Sequence, residues 1–494
     1  MRLPLIAALL LLAGCENLPV ILPPGFGGGE TPKNNSSFFF PTGLAVLPDK
    51  TLLVANGNFS HAFAGGTLIS VNKDFIAGIF DAVHPDCAQP GVDTGVAPCT
   101  RQLTEPNAVV SGVMIGNYAG PIGLDDAADA GTAAEFTATG GGTAYIGSRD
   151  SNTVDAIHVD PGGLLTCFPD AGISPTDCRQ GLINTSTAVN ADGTPVNLDG
   201  PYSIVSGDAA PPGFPSQRVM FVASLIPHVE SIQSGIPITT SEIAVLSQAS
   251  PQVPLFTMIG SGLFIGANGA GIGPMLYDSA RRRLVLGGCY ARFGGTGAGE
   301  PATAKCSAGN INQLRFLGVD GGKSVLPTIV DLVDLATTDL AAMAFSDFDP
   351  VTKEPTSLWA TTRTPDALVK ISLPLQQSVA PRMDTFVVLP ATPAELVVIP
   401  RAAPHGDLVA VASERNGAIV IYDTDSNQVV ANVERVGDTP TGLKLYELAT
   451  NTLGVPVARL VTGVFAGCSV AFIEIPLDDP QSAQLKGRIG ACEE

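Results

Sequence analysis

The sequence predicts an all-β fold, a seven-bladed β-propeller of four-stranded antiparallel blades, on three observations. Short apolar runs, alternating or β-branched, recur between turns rich in Gly and Pro, as half-buried or buried strands should. The same order of runs returns seven times along the chain. No single unit can bury both of its faces alone, and stacking such sheets around an axis buries the faces and protects the edges.

The clearest unit is ATPAELVVIP, DLVAVAS, GAIVIYD and QVVANVERVGDTPTG, four runs separated by turns. FPTGLAVLPDKTLLVANGN with GGTLISVN repeats its first three runs near the N-terminus. The order returns in GGTAYIGSRDSNTVDAIHVD, in QRVMFVAS with SEIAVLS, and in RRRLVLGG with INQLRFLGV. It returns again in SLWATTRTPDALVKISL and in ARLVTGVFAG with SVAFIEI. Proline marks unit starts at Pro41, Pro121, Pro201, Pro274, Pro393 and Pro440, and one unit starts near Leu340 without it. Two stacked β-sandwiches are the alternative architecture.

Composition agrees with a turn-rich β protein. The 494 residues include 55 Gly and 40 Pro, and 45% are hydrophobic, which supplies a core. Charged residues are 15%, against about 25% in average globular proteins. The length could hold about three average domains, but large all-β folds often form one unit. A net charge of -20 argues against nucleic acid as a partner, because phosphate contacts need clustered Lys and Arg.

SERNGAIVIYDTDSNQVVANVERVGDTPTG, LLVANGN with GGTLISVN, and the Pro-Thr-Gly starts resemble the YVTN-type repeats of bacterial seven-bladed propellers. The resemblance is closest in units one, two, six and seven. It implies the ring architecture and says little about activity. Trp359 is the one tryptophan, which argues against WD40 or quinoprotein propellers that carry a tryptophan motif in each blade.

The N-terminus reads as a leader. Arg2 precedes an apolar run from Leu5 to Leu12, too short to span a bilayer, which takes about 20 residues. Leu12, Ala13, Gly14 and Cys15 resemble the bacterial lipobox. That resemblance implies a leader over residues 1–14 and an acylated Cys15 with more than one lipid chain. Residues 16–35, rich in Pro, Gly and Asn, read as a flexible tether, and residues 36–494 as the propeller. Glu16 is not the aspartate that retains enterobacterial lipoproteins at the inner membrane, so the outer membrane is expected. The body has no other apolar run of spanning length.

Setting Cys15 aside leaves eight cysteines in consecutive pairs: Cys87 and Cys99, Cys167 and Cys178, Cys289 and Cys306, Cys468 and Cys492. Separations of 12, 11, 17 and 24 positions suggest four local disulfides, although eight cysteines allow 105 pairings. An exported chain meets an oxidising compartment, where bridges are the expected state. No CxxC or CxxCH occurs, which argues against a zinc ribbon and covalent haem.

Candidate binding residues fall where the second and third strands of each blade join. Four such turns carry arginine: Arg149 in SRDSNT, Arg292 in YARFGG, Arg363 in TTRTPDA and Arg415 in SERNGA. A guanidinium fork donates two parallel hydrogen bonds to carboxylate or phosphate, so these four could ring an anionic ligand such as a glycan. The competing reading pairs each with Asp150, Asp366 or Glu414 nearby. Long loops on the same face bring in His61, His228, Glu230 and Tyr290.

Other motifs fall short. Asp423, Asp425, Asn427 and Glu434 imitate a calcium loop, but its sixth position is Gln428 where glycine is needed. HExxH and GxSxG are absent. Gly322, Lys323 and Ser324 end like a phosphate loop whose required earlier glycine is Leu317, and GANGAGIG does not satisfy GxGxxG. Five histidines have no metal-site spacing. The expectation is a monomeric lipoprotein of the outer membrane, periplasmic or surface-facing. It would act without a cofactor as a binding or scaffolding module for an envelope protein or an anionic ligand. The alternative is a lactonase-like hydrolase with its site in the central channel.

Overall fold

Seven antiparallel sheets follow one another along the chain and close into a ring, a β-propeller. The computed structural model describes residues 37–82, 99–124, 141–150, 152–167, 200–209, 217–225, 228–233, 236–240, 243–250, 253–255, 272–291, 310–319, 328–335, 339–376 and 379–490. It also describes shorter pieces at 21–23, 26, 87, 176–179, 183–184 and 266–267.

Blade 1 is Pro41–Val46, Leu52–Asn56, Gly66–Val71 and Val109–Ile115. Blade 2 is Ala119–Leu124, Gly142–Ser148 and Thr153–Val159, with Leu165–Cys167 and Ile183–Asn184 sharing the outer position. Blade 3 is Pro201–Ala209, Gln217–Ser224, Ile243–Ser250 and Val253–Leu255. Blade 4 is Met275–Asp278, Arg283–Ala291, Asn310–Gly318 and Thr328–Leu335. Blade 5 is Asp339–Phe348, Pro355–Arg363, Ala367–Ser372 and Arg382–Val388. Blade 6 is Pro393–Ile399, Leu408–Ser413, Ala418–Asp423 and Gln428–Val433. Blade 7 is Pro440–Thr450, Pro456–Val464, Ser469–Pro476 and Gln484–Ile489.

The first strand of each blade lines the axis and touches the first strands of its neighbours. These inner strands begin at Pro41, Ala119, Pro201, Met275, Asp339, Pro393 and Pro440, each within two residues of the expected unit start. Proline suits that place, because the first residue of a strand can do without a ladder N–H. The apolar core lies between successive sheets. In blades 5 and 6, for example, Trp359, Val409, Val411 and Tyr422 pack together, with the Trp359 and Tyr422 rings 5.5 Å apart. Near the axis the sheets crowd, and a Cβ on Gly43 would sit 2.7 Å from the Gly120 carbonyl oxygen.

The ring is closed without exchanging a strand between its ends. Each of blades 1 and 7 is built from its own stretch of chain, and their inner strands meet through Thr441 Oγ1 donating to the Pro41 carbonyl. An insertion between the third and fourth strands of blade 1 then reaches across the seam. Its short strand Thr100–Arg101 pairs in parallel with Gln484–Ile489 of blade 7. Cys87 N donates to Leu485 O, Arg488 N to Cys99 O, and Gly490 N to Arg101 O. The Cys87–Cys99 disulfide ties the two flanks of this clasp.

Blade 2 repeats the device one step on. Beside its Cys167–Cys178 disulfide, Met114 N of blade 1 donates to Thr176 O and Cys178 N donates to Met114 O. Both disulfides join the consecutive cysteines expected from spacing. Cys468 is also disulfide-bonded, while the side chains of Cys289, Cys306 and Cys492 lie outside the described residues.

Two elements depart from a plain reading of the insertions as loops. Lys73–Phe80 is a helix, capped by the Asn72 side chain accepting from Asp74 N. Ile76, Ile79 and Phe80 fall at i, i+3 and i+4, the helical spacing of a buried face. Phe80 meets Tyr446 and Phe472 of blade 7 with ring centroids 5.6 Å apart in each case. LIPHVESIQSGIPITT, expected as a loop, forms the hairpin His228–Gln233 and Ile236–Thr240, with Gly266–Ala267 as a third strand. Its alternation of β-branched residues is what a hairpin needs.

Candidate functional site: the channel mouth

One end of the ring carries the loops that join second to third strands, together with the links from one blade to the next. At this end aromatic side chains from three blades come into contact. Phe465 of blade 7 lies 5.1 Å from Phe40 and 5.0 Å from Phe59 of blade 1, ring centre to ring centre. Phe59 packs edge-on against Tyr118 at 4.6 Å, and His61 leans on Tyr118 at 5.0 Å. All are only partly buried or exposed. Tight turns place them: Phe40, His61 and Tyr118 all have positive φ, between 50° and 54°.

Arg149 sits at the end of this chain of rings. Its guanidinium carbon lies 5.4 Å from the ring centre of Phe59, 5.9 Å from Tyr118 and 5.3 Å from Tyr202 of blade 3. Nε donates to the Tyr118 carbonyl at 3.4 Å. No described carboxylate pairs with it, and burial pulls its pKa below the ordinary arginine value. Burial likewise raises the Tyr202 phenol, which also feels Glu395, Arg149, Arg363 and Glu414. Tyr202 is thus where the fields of Arg149 and Arg363 meet.

The other turn arginines are occupied differently. Arg363 donates Nη2 to Glu414 at 2.6 Å and Nε to the Pro393 carbonyl, and it faces Asp339 at 3.7 Å. It therefore staples blade 5 to blade 6, and its acid is Glu414 of the next blade, not Asp366 of its own turn. Arg415 is exposed in a separate open cleft between blades 6 and 7, with Glu434, Arg435 and Asp438. Arg292 and Cys15 lie outside the described residues, as do the side chains of His228, Glu230 and Tyr290. His61 stands 4.0 Å from Asp150 across the turn beside Arg149.

Sequence reasoning passed over the aromatics. A signal was present, since Phe63, Tyr118 and Phe465 each precede Ala-Gly and Phe59 follows Gly-Asn, in turns where polar residues are usual. The calcium-like turn resolves as a plain strand connection. Arg401 Nη2 reaches Asp423 at 2.5 Å and Asp425 at 3.0 Å, and Gln428 starts the next strand. Among the described residues no group of three or more His, Cys, Asp or Glu is gathered as a metal site, and no helix is long and apolar enough to cross a membrane.

Beneath the mouth lies a fully buried acid, Asp155. Its Oδ2 accepts from Ser148 Oγ at 2.6 Å and from Gly116 N at 2.9 Å, tying blade 2 to blade 1, while Oδ1 has no partner. Burial pushes its pKa from 3.8 up to about 6. The fold therefore favours the protonated acid, and this contribution to stability is present below pH 3.8 and lost as pH rises through about 6. A rise of this size is equivalent to about 3 kcal/mol. Asp155→Asn should raise the unfolding free energy by about 1–2 kcal/mol at pH 7.5, because the amide oxygen keeps both bonds while the NH2 group replaces the orphan oxygen. The gain should vanish near pH 4. Urea titrations of both proteins at the two pH values test this, and a gain independent of pH would refute it.

No family model matches the chain, and no curated protein matches it. Solved structures match it at low identity. The β-propeller domain of Cps50 (Swd1) from Myceliophteria thermophila is 7% identical, covering 90% of this chain and 94% of that one, with a TM-score of 0.43. A functionally unknown protein from Desulfotomaculum acetoxidans is 13% identical over 72% of each chain, with a TM-score of 0.37. A putative 6-phosphogluconolactonase from Bacteroides uniformis is 12% identical, covering 71% of this chain and 78% of that one, with a TM-score of 0.35. At such values they carry no argument about what this chain does.

Proposed function

We propose that this chain is a lipid-tethered recognition module of the bacterial envelope, binding without catalysis at the channel mouth. One observation supports the reading most: side chains from blades 7, 1, 2 and 3 gather partly exposed aromatic rings and one carboxylate-free guanidinium at a single end of a closed ring. Aromatic anchors on a rigid scaffold bind well because little freedom is lost on contact. The lipobox at Cys15 supports attachment to the membrane, and the YVTN-like repeats supports a bacterial origin for the ring.

Two measurements test this in intact cells. An alkynyl palmitate analogue should label the wild-type chain and not Cys15→Ser. A photoreactive amino acid at Phe59 should crosslink to a ligand or partner, whereas one at Lys353, in the strand-joining turn at the opposite end of blade 5, should not. Equal crosslinking from both ends would overturn the mouth as the recognition surface. Unlabelled wild-type chain would overturn the tether.

A further inference from the structure

Resting on that reading of the mouth, we propose that the Arg149 cradle binds an acidic sugar, its guanidinium taking the carboxylate and the surrounding rings taking the flat apolar face of the pyranose.

The first ground is that Arg149 is not spent. Nε is engaged by the Tyr118 carbonyl, but neither terminal nitrogen has a hydrogen-bond partner among the described residues, and neither is sealed from solvent. Several other arginines taken out of water in this ring hold an acid. Arg179 holds Asp177 at 2.5 Å, Arg363 holds Glu414 at 2.6 Å and Arg459 holds Asp81 at 2.6 Å. In a chain with 46 acidic and 26 basic residues, acids to pair with are plentiful, and the Arg149 guanidinium is flanked by three rings instead. Three ring faces offset part of its desolvation and hold the fork in place.

The second ground is the match between fork and ligand. Two terminal nitrogens aligned in one plane suit the two oxygens of a carboxylate. A phosphate dianion would carry twice the charge into the field of a molecule with net charge -20 and beside Asp150, so the singly charged acid is favoured. Phe59, Tyr118 and Tyr202 offer apolar faces, while the Tyr118 and Tyr202 hydroxyls and His61 offer polar contacts for a ring bearing hydroxyls. A sugar acid needs both.

Calorimetric titration of the full-length chain with glucuronate, glucose, benzoate and inorganic phosphate tests this. Glucuronate should bind best. Arg149→Ala should weaken it by about tenfold or more, and Arg149→Lys by less, because the charge remains while the fork is lost. Phe59→Leu and Tyr202→Phe should each weaken it by a few fold with unchanged urea midpoints, which guards against misfolding in the arginine variants. Equal glucuronate affinity in Arg149→Ala, or tighter binding of phosphate, benzoate or glucose, would overturn the proposal. So would no glucuronate binding; if Phe59 still crosslinked in cells, the recognition reading would survive and only the ligand class would fall.

Discussion

Replacing Arg459 by methionine should lower the unfolding free energy by about 3–5 kcal/mol at neutral pH. The side chain is 6% exposed and serves three acids: Asp81 at 2.6 Å, Glu447 at 3.0 Å and Glu474 at 3.4 Å. Glu474 is itself 2% exposed, so removing the arginine leaves a buried carboxylate without its counter-charge. The guanidinium also lies 4.9 Å from the centre of the Phe80 ring, so the same change loosens the helix of the blade 1 insertion from blade 7. Urea unfolding at neutral pH measures the loss. Arg459→Met with Glu474→Leu should recover most of it, because the buried charge leaves together with its partner while Asp81 and Glu447, 51% and 22% exposed, keep water. A loss below about 1 kcal/mol in the single variant would mean that water reaches Glu474 and the pair is effectively a surface one.

The second large effect is expected from Cys87→Ser with Cys99→Ser. Opening a loop of 12 residues removes about 3 kcal/mol by the chain-entropy account. Because Cys99 directly precedes the strand Thr100–Arg101 that clasps blade 7, the loss should be local as well as global. Amide exchange should accelerate over Gln484–Ile489, whose partner is Thr100–Arg101. The matching change at Cys167 and Cys178 should destabilise by a similar amount and leave that strand's exchange unchanged, since its clasp rests on Met114 of blade 1. Exchange altered equally by both pairs would mean that the bridges act only on the unfolded chain.

The architecture was readable because it repeats. Pro41, Pro201, Pro393 and Pro440 each begin an inner strand, and continuous apolar runs such as LVAVAS and AIVIYD are buried along almost their whole length, as strands covered on both faces should be. What escaped reading depends on parts of the chain that meet only in the fold. Thr100–Arg101 is two residues long and has no period to detect, yet it pairs at the far end of the chain. Arg149 and Arg363 occupy equivalent turns, but Glu414 arrives 51 residues later to satisfy one, and rings arrive to flank the other. Single aromatics in turns are ordinary one by one, and only contact across blades makes Phe40, Phe59, Tyr118 and Phe465 a surface.

The seam between the first and last blades also dictates an order of events during synthesis. Cys87 Sγ meets the Lys486 carbonyl across 399 residues, and the Tyr446 hydroxyl reaches the Lys50 carbonyl across 396. Translation delivers the early half of each contact long before the late half, and folding generally proceeds from the N-terminus. The first blade must therefore wait with the apolar face that blade 7 covers exposed, and with its clasp unpaired, until the final hundred residues have emerged. A chain cut short before blade 7 would keep that apolar face open to neighbouring molecules, so truncated products should self-associate while the complete chain does not.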